Sequence, residues 1–381
     1  MSTRKKVLLG VAGVVSVAVL YVAISLTAFV LQHRNDPFQQ NVATWGRNHH
    51  LGVVVNRLER WLHSKPPSQK AAGSLALGGN VADTGVAATT VAAGPTTTTL
   101  SGPPAALQTV VTPALAGEGQ WTPFADIGGE PVIWATSLRP LADFGSVVAT
   151  AAVWDPQKLH AGLFNGTTTP GRGPWRNGKR VMPQALPALV ATFNGGFRLE
   201  HFKGGYVTEG ITIRRLLNDQ ATIAIDPNGV MSVGVWGRDL TDASRYKSIR
   251  QDLPPVVMDG KNSVDLFPGT YWGDNFHQVT YTYRSAICAM NDGRLMYVTV
   301  GDVDIHLLAR TLVQMGCKTG MELDINGNWP QFCAYRGLGT PDRKPIGLDR
   351  RMSNLARYLR SSDKDFIALF DPATLPPDVV K

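Results

Sequence analysis

The feature that most limits this chain is a run without charge. From Val7 to Leu31, 25 residues pass with no Asp, Glu, Lys or Arg, enough to cross the roughly 30 Å hydrocarbon core of a bilayer as a helix. A bilayer core offers no water to backbone N–H and C=O groups, so such a segment has to be helical. Arg4, Lys5 and Lys6 precede it, and the positive-inside rule keeps that cluster in the cytoplasm. The rival reading is a cleaved signal peptide, whose apolar region runs about 7–15 residues to an A-x-A-like exit. The longer run here, and the poor exit at Leu31-Gln32-His33-Arg34, favour an anchor. The expectation is a single-pass plasma-membrane protein: a cytoplasmic tail at 1–6, a transmembrane helix at 7–31, and the rest outside the cytoplasm.

The net charge of +8 resembles a nucleic-acid signal until it is located. Residues 1–70 hold nine Lys or Arg against two acids, which leaves about +1 for the remainder. Phosphate neutralisation needs a basic patch, and the bulk charge of the large C-terminal part supplies none. No nucleic-acid partner is expected. Residues 32–65 mix Phe38, Val42, Trp45, Leu58, Trp61 and Leu62 with basic residues, an amphipathic juxtamembrane segment suited to anionic headgroups. An ordinary linker helix is the other reading. Residues 66–120 are rich in Ala, Gly, Thr and Pro, with four threonines at 96–99. Such a composition cannot offset its ordering entropy and is expected to be a disordered linker, roughly 40 Å end to end.

From Trp121 to Lys381 the chain changes character. Strand-length apolar runs fall at Pro131–Thr136, Val147–Trp154, Leu189–Phe193, Ala221–Ile225, Val230–Trp236 and Pro255–Met258. More follow at Val279–Met290, Arg294–Val300, Met321–Ile325 and Phe366–Phe370, with turns at Asp226–Gly229 and Asn291–Gly293. One helix is clear over Asp304–Met315, with Asp304 as N-cap, an apolar stripe of Ile305, Leu308, Leu312 and Met315, and Gly316 as stop. A shorter one is expected near Met352–Leu359. Many strands and few helices predict an α+β domain with a mixed β-sheet over 121–381, not a doubly wound sheet. Among the three cysteines, Cys317 and Cys333 flank one short strand and are the favoured disulfide; three free thiols are the alternative.

Two stretches offer chemistry. The first runs from Ala191 through Asn194-Gly195-Gly196-Phe197 to Gly204–Gly210, where Glu209 is the acid. Asn194 at a strand end offers a donor and an acceptor, and the glycines let the backbone approach a ligand and adopt positive φ. A ligand-free hairpin turn is the plainer reading. The second runs from Arg284-Ser285-Ala286 to Met321–Asn328. Glu322 and Asp324 lie two apart on a strand and share a face, with Asp324 at the strand end where sites collect. Two solvated surface acids, one paired to Arg284, are the alternative. Asp302, Asp304 and His306 give one weak reading of a divalent-metal site; the cap role explains Asp304 better. No cofactor is otherwise implied.

In order, Asn-Gly-Gly-Phe, Arg-Ser-Ala-Ile before a hairpin, the helix Leu-Leu-Ala-Arg-Thr-Leu-Val-Gln-Met-Gly and then Glu-Leu-Asp resemble the phosphodiester glycosidase domain family over Phe193–Phe332. Family members typically read Leu-Asp-Gly-Gly-Gly-Ser where this chain reads Leu-Asp-Ile-Asn-Gly-Asn-Trp. The resemblance implies a hydrolase of sugar-1-phosphodiester links in cell-envelope glycans. Asp324 would serve the anomeric centre, Arg284 the phosphate and Asn194 the sugar, with Glu322 or Glu209 as a second carboxylate. Gly195, Gly196, Asn326, Asn328 and Trp329 would line the substrate. The competing expectations are a non-catalytic relative that binds an envelope glycan, with Trp329 and Tyr335 stacking on sugar, and a structural protein reusing the fold.

Overall fold

The computed structural model describes residues 3–32, 38–78, 100, 102–267, 272, 280–325, 327–336 and 344–381. The chain divides into Met1–Leu62 and His63–Lys381. In the first unit α1 (Thr3–Gln32) is continuous, and its part from Ala12 to Gln32 is long and apolar enough to cross a membrane. Beyond it lie α2 (Phe38–Asn48) and α3 (Gly52–Leu62). Trp45 of α2 donates its indole N–H to the Ser25 hydroxyl at 3.0 Å, and His49 stacks on Trp45 at 4.3 Å.

The second unit holds three sheets, and every ladder between its named strands is antiparallel among the described residues. Numbered in chain order, the largest runs β1 (Thr122–Ile127), β2 (Glu130–Leu138), β3 (Ala149–Trp154), β14 (Leu295–Val303), β13 (Thr282–Met290), β15 (Cys317–Ile325), β11 (Val257–Met258), β12 (Lys261–Asn262). A second runs β7 (Ile211–Arg214), β6 (Tyr206–Thr208), β10 (Ser248–Gln251), β8 (Ala221–Ile225), β9 (Met231–Val235). The third runs β17 (Lys344–Gly347), β16 (Phe332–Arg336), β5 (Leu189–Asn194), β18 (Phe366–Phe370), β4 (His160–Phe164).

One core lies between the largest and third sheets, where Trp154, Phe193, Tyr297 and Phe332 meet; Phe193 and Phe332 stack at 5.9 Å. Such interdigitation of two inner faces is what holds a β-sandwich. The other face of the largest sheet is covered by α4 (Ile305–Gln314), whose Leu308 and Leu312 are fully buried. Asp304 caps α4 by accepting the Leu307 N–H at 2.8 Å, and Gly316 follows with φ +85°, the left-handed turn that ends a helix. Near the C-terminus only α5 (Arg357–Arg360) is helical, shorter than the periodicity suggests.

One expectation changes. The disulfide joins Cys288 to Cys317, with Cα atoms 5.5 Å apart, not Cys317 to Cys333. Cys288 and Cys317 lie on the neighbouring strands β13 and β15, whereas Cys333 sits on β16 in another sheet as a buried free thiol. The expected linker falls outside the described residues at 79–99 and 101. Its flanks are hydrogen-bonded into the second unit: Gly78 N–H donates to Leu348 O at 2.7 Å and Leu107 N–H to Gly119 O at 2.9 Å. Buried Arg139 draws the second flank in, since its guanidinium needs Glu118 and the Pro113 carbonyl, both at 2.6 Å.

Candidate functional site

The largest and third sheets are stitched together at Asn194 and Gly195. Gly195 N–H donates to Asp365 O at 3.0 Å, and Asp324 N–H donates to Gly195 O at 3.1 Å. The ends of β5 and β15 and the start of β18 therefore meet at one backbone unit. Around it gather charges from distant parts of the chain.

Asp324 is 3 % exposed. One carboxylate oxygen accepts its neighbour's backbone N–H from Ile325 at 3.0 Å, and the other accepts from the Lys364 ammonium. The Lys364 nitrogen also lies 4.2 Å from the centre of the Trp329 ring. Arg284 donates to Glu322 at 2.6 Å, to Val303 O at 2.9 Å and to Thr280 O at 2.9 Å. Burial raises the Glu322 pKa against the pull of that guanidinium. The reading of Glu322 and Asp324 as solvated surface acids is thus overturned: both are buried and each holds a cation.

Asn194 has no hydrogen-bonding capacity to spare. Its amide donates to Gly195 O at 2.9 Å and Ser285 Oγ at 3.0 Å, and its carbonyl oxygen accepts from the Tyr297 hydroxyl at 2.8 Å and Gln331 N–H at 2.9 Å. Two donors and two lone pairs are all it has. It is a keystone rather than a sugar ligand. Ser285 passes the contact on by donating to Asp324 O at 2.7 Å.

Gly195 and Gly196 serve another purpose than positive φ, which neither adopts. A Cβ on Gly195 would fall 2.2 Å from an Asp365 carboxylate oxygen, and one on Gly196 would fall 1.8 Å from an Asp252 carboxylate oxygen. Close approach of two carboxylates is what requires glycine there. Glu209 belongs elsewhere: its carboxylate accepts the backbone N–H groups of Asn177 at 2.8 Å and Arg176 at 3.0 Å. Asn326 lies outside the described residues. Asn328 is half-buried and its carbonyl accepts from Arg357 at 2.8 Å. Trp329 is largely buried, with the Arg357 guanidinium 4.7 Å from its centre. Tyr335 is buried and its hydroxyl is bonded to Thr192 at 2.9 Å, so its face is not open to a sugar.

Four ionisable side chains and a histidine at the site have no motif to announce them. Arg250 and Asp365 form a sealed pair at 2.9 Å. Asp252 accepts the Phe197 N–H at 3.1 Å through one oxygen, and the other has no hydrogen-bond partner. Burial pushes the Asp252 carboxyl up to about 8, so it holds its proton at neutral pH. Burial lowers the Lys364 pKa, countered by Asp324. Partial desolvation lowers His201 as well, with the charges of Glu200, Lys364, Arg198 and Asp324 all acting on it. Two weak sequence signals existed: Arg250 and Asp252 lie two apart at the end of β10, and Lys364-Asp365 directly precedes an apolar strand. Among the described residues no three His, Cys, Asp or Glu side chains are grouped to hold a metal ion. His306 instead lies 3.9 Å from Asp265.

Comparison with known proteins adds four findings. No curated protein matches the chain. The zebrafish N-acetylglucosamine-1-phosphodiester alpha-N-acetylglucosaminidase catalytic domain aligns at 15 % identity and a TM-score of 0.43, over 66 % of this chain and 87 % of that one. A hypothetical protein from Synechocystis aligns at 12 % identity and a TM-score of 0.43, over 66 % of this chain and 64 % of its own. The phosphodiester glycosidase family model matches residues 188–324, which run from the end of the segment before β5 to Asp324. Within those residues the chain is matched to the phosphodiester glycosidase family.

Proposed function

We propose that this chain is a membrane-anchored, extracytoplasmic glycosidase that hydrolyses sugar-1-phosphodiester links in cell-envelope glycans. The observation that carries the reading is Asp324: it ends the family-matched segment at the end of β15, and its pair with Lys364 is the most exposed of the three ion pairs gathered at the site. In the proposed reaction water attacks the anomeric carbon as the bond from that carbon to the phosphate oxygen breaks. The electron pair leaves with the phosphate monoester, and Asp324 takes the proton from water. A phosphate leaving group needs little protonation, so charge stabilisation outweighs a strong general acid. Arg284 and Glu322 act as positioning residues beneath Asp324, because three of the Arg284 donors are committed within the protein. Asn194 holds the strand ends in register.

The apolar α1 supports the anchor, with residues 32–65 at the membrane surface and the domain beyond. The decisive experiment is hydrolysis of an α-N-acetylglucosamine-1-phosphodiester by the full chain in detergent, beside Asp324→Asn. The parent should turn over, and the variant should lose turnover while still unfolding cooperatively, at a lower melting temperature because buried Lys364 loses its charge partner. Turnover retained by Asp324→Asn refutes the assignment. The second reading, a glycan-binding relative without catalysis, draws on Trp329 standing after Asp324 and on the ammonium covering that carboxylate. Binding of sugar phosphodiesters with no turnover by the parent would select it.

A further inference from the structure

Three carboxylate–cation pairs are packed into the site, and they differ in one respect. The side chains of Arg250 and Asp365 are both 0 % exposed, those of Arg284 and Glu322 are 4 % and 1 %, and those of Lys364 and Asp324 are 11 % and 5 %. Only the last pair meets the solvent edge appreciably. The two arginines are also tied to main chain: Arg250 donates to Gln251 O and Phe197 O, and Arg284 to Val303 O and Thr280 O. Lys364 has three donors on a flexible stem, and among the described residues its ammonium meets one hydrogen-bond acceptor, Asp324, and the face of Trp329.

We infer that Lys364 is the phosphate-binding residue of the site, and that its ammonium leaves Asp324 for a phosphate oxygen when a sugar phosphodiester enters. The inference rests on the phosphodiester reading and names the anion subsite within it. A buried ammonium with two unused donors is poorly solvated, so an incoming anion gains more from it than water does. Trp329 keeps the charge near its place by a cation–π contact while the hydrogen bond is exchanged. Arg198 adds to the field at the rim: its guanidinium is only loosely held, 3.7 Å from Glu200, with 32 % of its side chain exposed. Moving the ammonium also bares the Asp324 carboxylate. A neutral glycoside brings nothing to draw Lys364 away and leaves the carboxylate covered. Selectivity for a charged aglycone is thereby built into the resting ion pair.

Titration calorimetry on the full chain in detergent tests this with two probes, α-N-acetylglucosamine 1-phosphate and neutral methyl α-N-acetylglucosaminide. The parent should prefer the phosphate by at least about tenfold, and Lys364→Met should abolish the preference while Lys364→Arg retains most of it. Asp324→Asn frees the ammonium in advance and should tighten phosphate binding several-fold, a result that a merely structural lysine would not produce. A parent without preference, a Lys364→Met chain that keeps it, or an Asp324→Asn chain that binds phosphate no more tightly overturns the inference. Loss of preference in Lys364→Met with no turnover by the parent would sink the hydrolase reading and leave the subsite. Turnover with the preference untouched would do the reverse.

Discussion

Gly196→Ala is the sharpest structural test, because one atom decides it. The new Cβ would lie 1.8 Å from Asp252 Oδ2, 2.8 Å from Asp252 Cγ and 3.1 Å from Arg250 Nη2. Oδ2 is the oxygen that accepts the Phe197 N–H at 3.1 Å, and Asp252 is fully buried. The carboxyl group must therefore move and give up that bond. A buried donor left unpaired costs about 1–3 kcal/mol, and an extra methyl in a packed interior roughly 1–3 kcal/mol more. The expected loss is about 2–6 kcal/mol in urea unfolding of the full chain, followed by tryptophan fluorescence. Gly327→Ala, where the Cβ meets nothing within 4 Å, should stay within about 0.5 kcal/mol of the parent. Removing the obstacle with Asp252→Ala should make Gly196→Ala far less costly in that background. A Gly196→Ala chain as stable as the parent, or one equally destabilised in both backgrounds, would refute the reasoning.

Further outcomes follow from the same packing. Glu322→Ala strands the buried Arg284 charge and should cost about 3–5 kcal/mol by the same unfolding measurement, whereas a surface pair would cost under about 1 kcal/mol. Reducing the Cys288–Cys317 bridge, 29 residues apart, should remove about 3–4 kcal/mol on the loop-entropy argument, and Cys333 should react with a thiol reagent only on unfolding. Asp252 titrates near 3.8 when unfolded and is raised to about 8 in the fold, so the folded state holds an extra proton in that window and stability falls as pH rises through it. From pH 5 to pH 7 the parent should lose roughly 3 kcal/mol relative to Asp252→Asn; equal pH slopes for the two would contradict the buried, protonated carboxyl.

How much of this was legible depended on whether the signal was local. Ala221–Ile225 and Phe366–Phe370 are strands as the apolar runs suggest, and the Asp226–Gly229 turn joins β8 to β9. The Asp304 cap and the apolar stripe of α4 are local chemistry and match the helix. Short strands such as β6, β7 and β17 were missed, since three or four residues hold no periodicity. The disulfide failed for a different reason. Pairing follows strand order in space, and β13 lies beside β15 while β16 belongs to another sheet. At the candidate site, strand spacing and motif order pointed to Asp324, Glu322 and Arg284. Arg250, Asp252, Lys364 and Asp365 escaped notice, because three of them stand just outside strand ends, where charged residues usually mark a solvated turn, and the partners lie far apart in sequence.

The place of β18 bears on when this molecule can take shape. It is the last strand in chain order, yet it lies inside its sheet, hydrogen-bonded to β5 on one side and β4 on the other. As the polypeptide is synthesised, β4 and β5 appear some 170 residues or more before the strand that fills the gap between them. Until then each presents an open edge, and such edges invite pairing with other chains. Asp365 and Lys364, the partners of Arg250 and Asp324, arrive with that same strand. Closure of the sheet and charge balance at the site are therefore one late event, and a nascent chain halted before residue 364 would hold neither.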